Sequence, residues 1–154
     1  MKHLLPEFEK WRARYPAGFE SSLVLPCLRR IQEDRGYIAD ADIDGLIEYL
    51  RVPRIQIEEV LSFYGQLRRK PIGRCHIQAC RNLSCSLSGA ERILDHLTRK
   101  LGIAPGQTTA DGRFTLSTVE CLAACGRAPV VMIDDAYHES MTAEKLDALL
   151  ARLP

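Results

Sequence analysis

Apolar positions in the first 70 residues recur at helical spacing. Over 23–33 the repeat is carried by Leu25, Leu28 and Ile31, with Pro26 confined to the first turn and Gly36 placed to stop the helix. Asp40 is a candidate cap for a second helix whose apolar face holds Ile43, Leu46, Ile47 and Leu50. Pro53 suits the first turn of a third, with Ile57, Val60, Leu61 and Tyr64 along one side. Leu5, Phe8, Trp11 and Tyr15 predict a short helix ahead of these. The expectation for residues 1–70 is a small helical bundle, with Phe63 and Tyr64 in a core between helix and sheet and Glu33-Asp34-Arg35 a solvated helix end.

The period changes after Pro71. Residues 74–79 alternate, which predicts a strand delivering Cys80 at its end. Ser88-Gly89-Ala90-Glu91 reads as a capping box, opening a helix with Leu87, Ala90, Leu94, Leu97 and Leu101 on one side and Gly102 beyond it. Asp111-Gly112 is a turn, and residues 113–120 alternate again, leading into Cys121. A short apolar strand follows over 129–134. Thr142 then caps a last helix carrying Leu146, Leu149, Leu150 and Leu153. The order strand–helix–strand–strand–helix makes residues 71–154 a sheet with helices against it, so the chain is α+β.

Composition narrows the chemistry. At 154 residues the chain forms one ordinary domain or two small ones. A formal net charge of +1 offers no attraction to nucleic acid or an anionic membrane. The longest apolar runs are far too short to span a bilayer, and the first ten residues lack the apolar core of a secretory signal. Six cysteines are therefore expected in a reducing compartment, where thiols bind metals or carry redox chemistry more often than they form structural disulfides.

Four of the six fall into two close pairs. Cys80 and Cys85 have four residues between them, Cys121 and Cys125 three. Four soft ligands so arranged can wrap a metal centre. Structural zinc favours tighter knuckles, whereas a wide pair suits a [2Fe–2S] rhomb, held in plant-type ferredoxins partly by a C-x4-C pair. The second pair departs from that plant pattern. A zinc knuckle or two reducible disulfides remain open on spacing alone; a dithiol enzyme of C-x-x-C type does not, because the chain contains no such pair. Both pairs are expected in loops at strand ends, where backbone amides can bond the sulfurs. Cys27 and Cys75 read as small buried hydrophobes. His76, His96 and His138 read as ordinary core or surface residues, not as the two imidazoles of a Rieske-like centre. Gly102 and Gly106 do not form G-x-G-x-x-G, so the nicotinamide is not expected to bind here.

The flanks of these cysteines carry a resemblance. Ile31-Gln-Glu-Asp-Arg-Gly-Tyr-Ile38, Glu59-Val-Leu-Ser-Phe-Tyr64, Gly73-Arg-Cys-His-Ile-Gln78, Asn82-Leu-Ser-Cys85, Gly89-Ala-Glu91, Glu120-Cys-Leu-Ala-Ala-Cys-Gly126, Ala128-Pro-Val-Val-Met-Ile-Asp134 and Leu146-Asp-Ala-Leu-Leu150 resemble the thioredoxin-like [2Fe–2S] subunit of respiratory complex I, the NADH:quinone oxidoreductase. The resemblance runs from about residue 20 to the end of the chain. It implies a helical N-terminal domain (1–70) followed by a thioredoxin-like [2Fe–2S] ferredoxin domain (71–154), with one cluster on Cys80, Cys85, Cys121 and Cys125. It also implies electron transfer beside a flavoprotein subunit that holds FMN and NADH, with other peripheral-arm subunits nearby. Catalysis would reside in that partner, and the complex would sit at the cytoplasmic face of the cell membrane. Related subunits of NAD-linked formate dehydrogenases and bidirectional hydrogenases are the alternative within the redox class, and a zinc-stabilised protein-binding module is the alternative outside it. Arg81 and Arg127 stand where the family commonly has small or neutral residues. As cations beside the ligands they are expected to favour the reduced state of a cluster or to serve docking.

Overall fold

Four helices wind the first part of the chain around one apolar core: α1 (Leu5–Arg12), α2 (Val24–Arg35), α3 (Asp40–Leu50) and α4 (Arg54–Phe63). Each contributes the stripe that its period demands, and Phe8, Cys27, Leu28, Ile31, Ile43, Leu46 and Ile57 are buried together. Pro26 sits in the first turn of α2, where a missing N–H costs nothing, and Gly36 closes that helix at φ 88°. The computed structural model describes residues 1–154 and divides into two compact units, Met1–Pro71 and Ile72–Pro154.

Local chemistry at the helix ends differs from the expected caps. Asp40 is the first residue of α3, not its cap; Ala39 occupies that position, and Asp42 reaches back to accept from Ala39 N at 3.0 Å. Pro53 likewise precedes α4 as its cap. The end of α2 is not simply solvated. Asp34 pairs with His3 at 2.9 Å, and Arg35 Nη1 donates to the buried Asp42 carboxylate at 2.7 Å. Phe63 is 81% exposed and Tyr64 37%, so the expected burial of this pair at the end of α4 fails. The chain leaving α4 is sewn to α2: Arg68 N donates to Gln32 Oε1 at 2.6 Å, Gln32 Nε2 to Gln66 O at 2.9 Å, and Ile38 N to Arg68 O at 2.7 Å.

The second unit is a five-stranded mixed sheet in the order β2-β3-β1-β4-β5. Its strands are β1 (Cys75–Cys80), β2 (Gln107–Thr108), β3 (Phe114–Val119), β4 (Val131–Ile133) and β5 (Ala136–His138). β1 pairs in parallel with β3 and antiparallel with β4, while β2 and β5 form the edges. Side chains alternate across a strand, so Cys75, Ile77 and Ala79 share one face of β1. They join Phe114, Leu116, Val131 and Ile133 in a core closed by Ile93 and Leu97 of α6 (Ala90–Leu101) and by Leu146 and Leu150 of α7 (Ala143–Leu150). Gly73 leads into β1 so close to the next strand that an added Cβ would lie 2.9 Å from the Phe114 backbone. No helix in the chain is long and apolar enough to cross a membrane.

One helix absent from the sequence expectation, α5 (Leu83–Leu87), lies between the first two paired cysteines and α6. Ser88 closes α5 as its C-cap and does not open α6, whose N-terminal cap is Gly89, held at φ 93°. Leu87 therefore belongs to α5, and it is 81% exposed instead of facing the core.

Candidate metal centre

The parallel register of β1 and β3 brings the chain segments that follow them to the same end of the sheet. Cys80 stands opposite Val119, and the ladder extends one residue further, with Arg81 N donating to Val119 O at 3.0 Å. Cys80 is the last residue of β1. Its N–H donates to Val130 O at 3.1 Å, and its Sγ lies 3.9 Å from Glu120 O, the residue ahead of Cys121.

Cys85 is positioned by a helix, not a loop. Asn82 Oδ1 accepts from Leu83 N at 2.8 Å and starts α5. Its single turn aims Cys85 inward, where it is buried with Cys80, Ala90, Leu122 and Val130. Leu83 and Leu87, four residues apart and two from Cys85 on either side, point the other way and are 71% and 81% exposed.

Cys121 and Cys125 occupy an exposed loop pinned by the buried Leu122. Ala123 takes the left-handed conformation at φ 56°, and its N–H donates to Cys121 Sγ at 3.2 Å. A short 3-10 turn over Cys125–Arg127 follows, with Arg127 N bonded to Ala124 O at 2.9 Å. Two thiols are thus buried and two exposed around one apolar cluster.

Burial pushes the Cys85 thiol up from its ordinary pKa; contact with Cys80 adds to this, the Val130 backbone opposes it, and the charges of Cys80 and Cys125 add further. Cys80 and Cys125 both bear on the Cys85 thiol. Thiolates that share a site repel unless a cation joins them, which is the condition a metal centre satisfies. Nowhere do three His, Cys, Asp or Glu side chains converge as ligands of one ion. A [2Fe–2S] rhomb takes two protein ligands on each iron, four in all, which is the number of thiols that the two cysteine pairs supply.

The remaining candidates lie elsewhere. Burial alone pushes Cys27 up to about 12, and burial also leads the upward shift of Cys75. Both are core residues, as the sequence indicated. His76 Nε2 bonds Ser117 Oγ at 2.8 Å, and His96 Nε2 bonds Asp147 Oδ1 at 2.9 Å. Arg127 Nε approaches Glu139 at 4.0 Å, while Arg81 Nε and Nη2 meet Glu120 Oε1 at 2.9 and 2.7 Å. The Ala123 amide is one of the loop amides expected to bond a sulfur, whereas nothing in the sequence paired Glu120 with Arg81. Asn82, a favoured cap residue three positions before Cys85, is the local signal from which α5 could have been predicted.

A sheet of this topology, with helices α6 and α7 on it and paired thiols at the shared ends of β1 and β3, defines a thioredoxin-like ferredoxin domain. The chain matches the family described as "Thioredoxin-like [2Fe-2S] ferredoxin" over residues 8–154, and it belongs to that family. Among its relatives, an NADH-quinone oxidoreductase subunit of Rhizobium meliloti is 44% identical over 94% of this chain and 84% of its own length. An NADH-quinone oxidoreductase subunit of Thermus thermophilus is 40% identical, over 94% and 81%. One of Escherichia coli, also named for NADH-quinone oxidoreductase, is 39% identical, over 83% and 77%. A solved NAD+-reducing [NiFe]-hydrogenase in its air-oxidised state shares the fold, with a TM-score of 0.71 at 23% identity over 84% of this chain. The match spans 22% of that hydrogenase chain.

Proposed function

We propose that the chain holds one [2Fe–2S] cluster on Cys80, Cys85, Cys121 and Cys125 and serves as the electron-transfer component of an NADH:quinone oxidoreductase. The observation that carries this reading is the parallel register of β1 and β3, which brings the two chain segments bearing the cysteine pairs to one end of the sheet. A cluster there supplies a one-electron couple. The chain's own parts do the rest: β1 and α5 fix two thiols in an apolar setting, and the Ala123 amide donates to a third sulfur, the kind of bond that tunes a cluster potential.

The partner in this reading is a flavoprotein subunit holding FMN and NADH, with the other peripheral-arm subunits around it, at the cytoplasmic face of the membrane. The chain is not catalytic alone. Leu83 and Leu87 stand exposed on the back of the helix that carries Cys85, which suits an apolar docking ridge within electron-transfer reach of a cluster. Relatives at 39–44% identity named for quinone reduction favour this assembly over a hydrogenase, whose likeness at 23% speaks for fold only. Anaerobic purification tests the cluster. About two irons and two labile sulfides per chain, with reddish-brown colour, are expected; zinc without iron or sulfide would overturn it.

A further inference from the structure

The two residues that flank the sheet-borne thiols meet one another. Arg81 follows Cys80 and Glu120 precedes Cys121, and their side chains close across the seam between the two segments. Both Arg81 Nε and Nη2 donate to the same oxygen, Glu120 Oε1, at 2.9 and 2.7 Å. The backbone beneath is already tied: Arg81 N donates to Val119 O, Ser86 Oγ donates to Arg81 O at 3.2 Å, and Cys80 Sγ rests against Glu120 O. The pair therefore sits on a fixed base. Its members are 61% and 77% exposed in their side chains, so the bond adds little to folding stability.

We infer that Arg81 and Glu120 are positioning residues that act as a compensated pair, each cancelling the other's electrostatic effect on a cluster held by the adjoining cysteines. The inference rests on the cluster assignment above. A guanidinium one residue from a ligand favours the reduced cluster, which carries one more negative charge. A carboxylate one residue from another ligand disfavours it. With the two charges less than 3 Å apart, a cluster beyond them experiences a dipole in place of either monopole. Sequence alone presents Arg81 as an uncompensated cation; the fold neutralises it.

The test is an EPR-monitored redox titration of the holoprotein and of R81Q, E120Q and R81Q/E120Q. The expected result is a reduction equilibrium moved about threefold towards the oxidised form in R81Q and about threefold towards the reduced form in E120Q, ~28 mV each way. The double variant is expected to return to the parent value. A swapped pair, R81E/E120R, rebuilds the seam with its dipole reversed and guards against variants that merely disturb the fold; it is expected to restore the parental EPR line shape. Single variants that leave the potential at the parental value, or that both shift it in one direction, overturn the inference while leaving the cluster assignment intact. Parent protein without an iron–sulfur signal overturns the assignment itself.

Discussion

Arg35 and Asp42 form an ion pair across the turn between α2 and α3: Nη1 and Oδ2 are 2.7 Å apart, and the carboxylate is almost wholly buried. The same oxygen accepts from Ala39 N and so opens α3. Removing the carboxylate strands an amide and a guanidinium at once. Asp42→Ala is expected to destabilise the protein by about 2–3 kcal/mol, less than a fully buried pair because Arg35 still reaches water. Urea unfolding measures it; a loss under ~0.5 kcal/mol would show that the pair is ornamental to the fold.

Serine at Cys80, Cys85, Cys121 or Cys125 is expected to abolish or grossly distort the visible iron–sulfur spectrum. The same change at Cys27 or Cys75, buried in the two main cores, is expected to leave the spectrum intact at a packing cost of about 1 kcal/mol. Absorbance and EPR spectra of the six variants decide the matter. A spectrum lost with Cys75 and kept with Cys80 would reverse the assignment.

Leu83 and Leu87 touch no core, so the double serine variant is expected to keep its stability within ~0.5 kcal/mol and to keep its cluster. Its affinity for the flavoprotein partner is expected to fall about tenfold, roughly 1.4 kcal/mol. Titration of the purified partner with parent and variant gives the comparison. Equal affinities would move the docking face away from α5.

The Cys27 thiol, raised from 9.0 to about 12 by burial, makes folding sensitive to alkali. Its folded pKa lies above the unfolded one, so its contribution is complete below about pH 9. It is lost as the pH climbs towards 12, by at most ~4 kcal/mol. Stability of the parent is expected to fall more steeply over that window than stability of Cys27→Ala. The free-energy difference between the two, measured at pH 8 and pH 10.5, should narrow; a constant difference would mean that the thiol stays un-ionised in both states.

How much could be read beforehand depended on whether a signal was local. The stripes of α2, α3, α4 and α6 and the alternation of β1 and β3 survive folding because one face of each is buried. α5 escaped notice because a five-residue helix has no room for a period; only the Asn82 cap and the burial of Cys85 hold it. β2 and β5, two and three residues long, exist because neighbours offer them hydrogen bonds, which no window of sequence records. Tyr64 fits the helical repeat, yet it and the neighbouring Phe63 lie past the point where the core ends. At the site, the cysteine pairs and the placement of Cys80 and Cys121 at or just past strand ends were legible, since spacing and alternation are local; the helical seat of Cys85 was not. The bond between Arg81 and Glu120 spans 39 residues and depends on parallel register, so it was not.

The position of β1 in the middle of the sheet also sets a sequence of events in time. A central strand, paired on both sides, exchanges its amides only in near-global openings, whereas an exposed loop held by one buried leucine breathes freely. Cys80 rides on the slowest-opening part of the unit and Cys121 and Cys125 on one of the fastest. Under heat or oxidant, attack on the site begins from the loop, while β1 still keeps Cys80 in place.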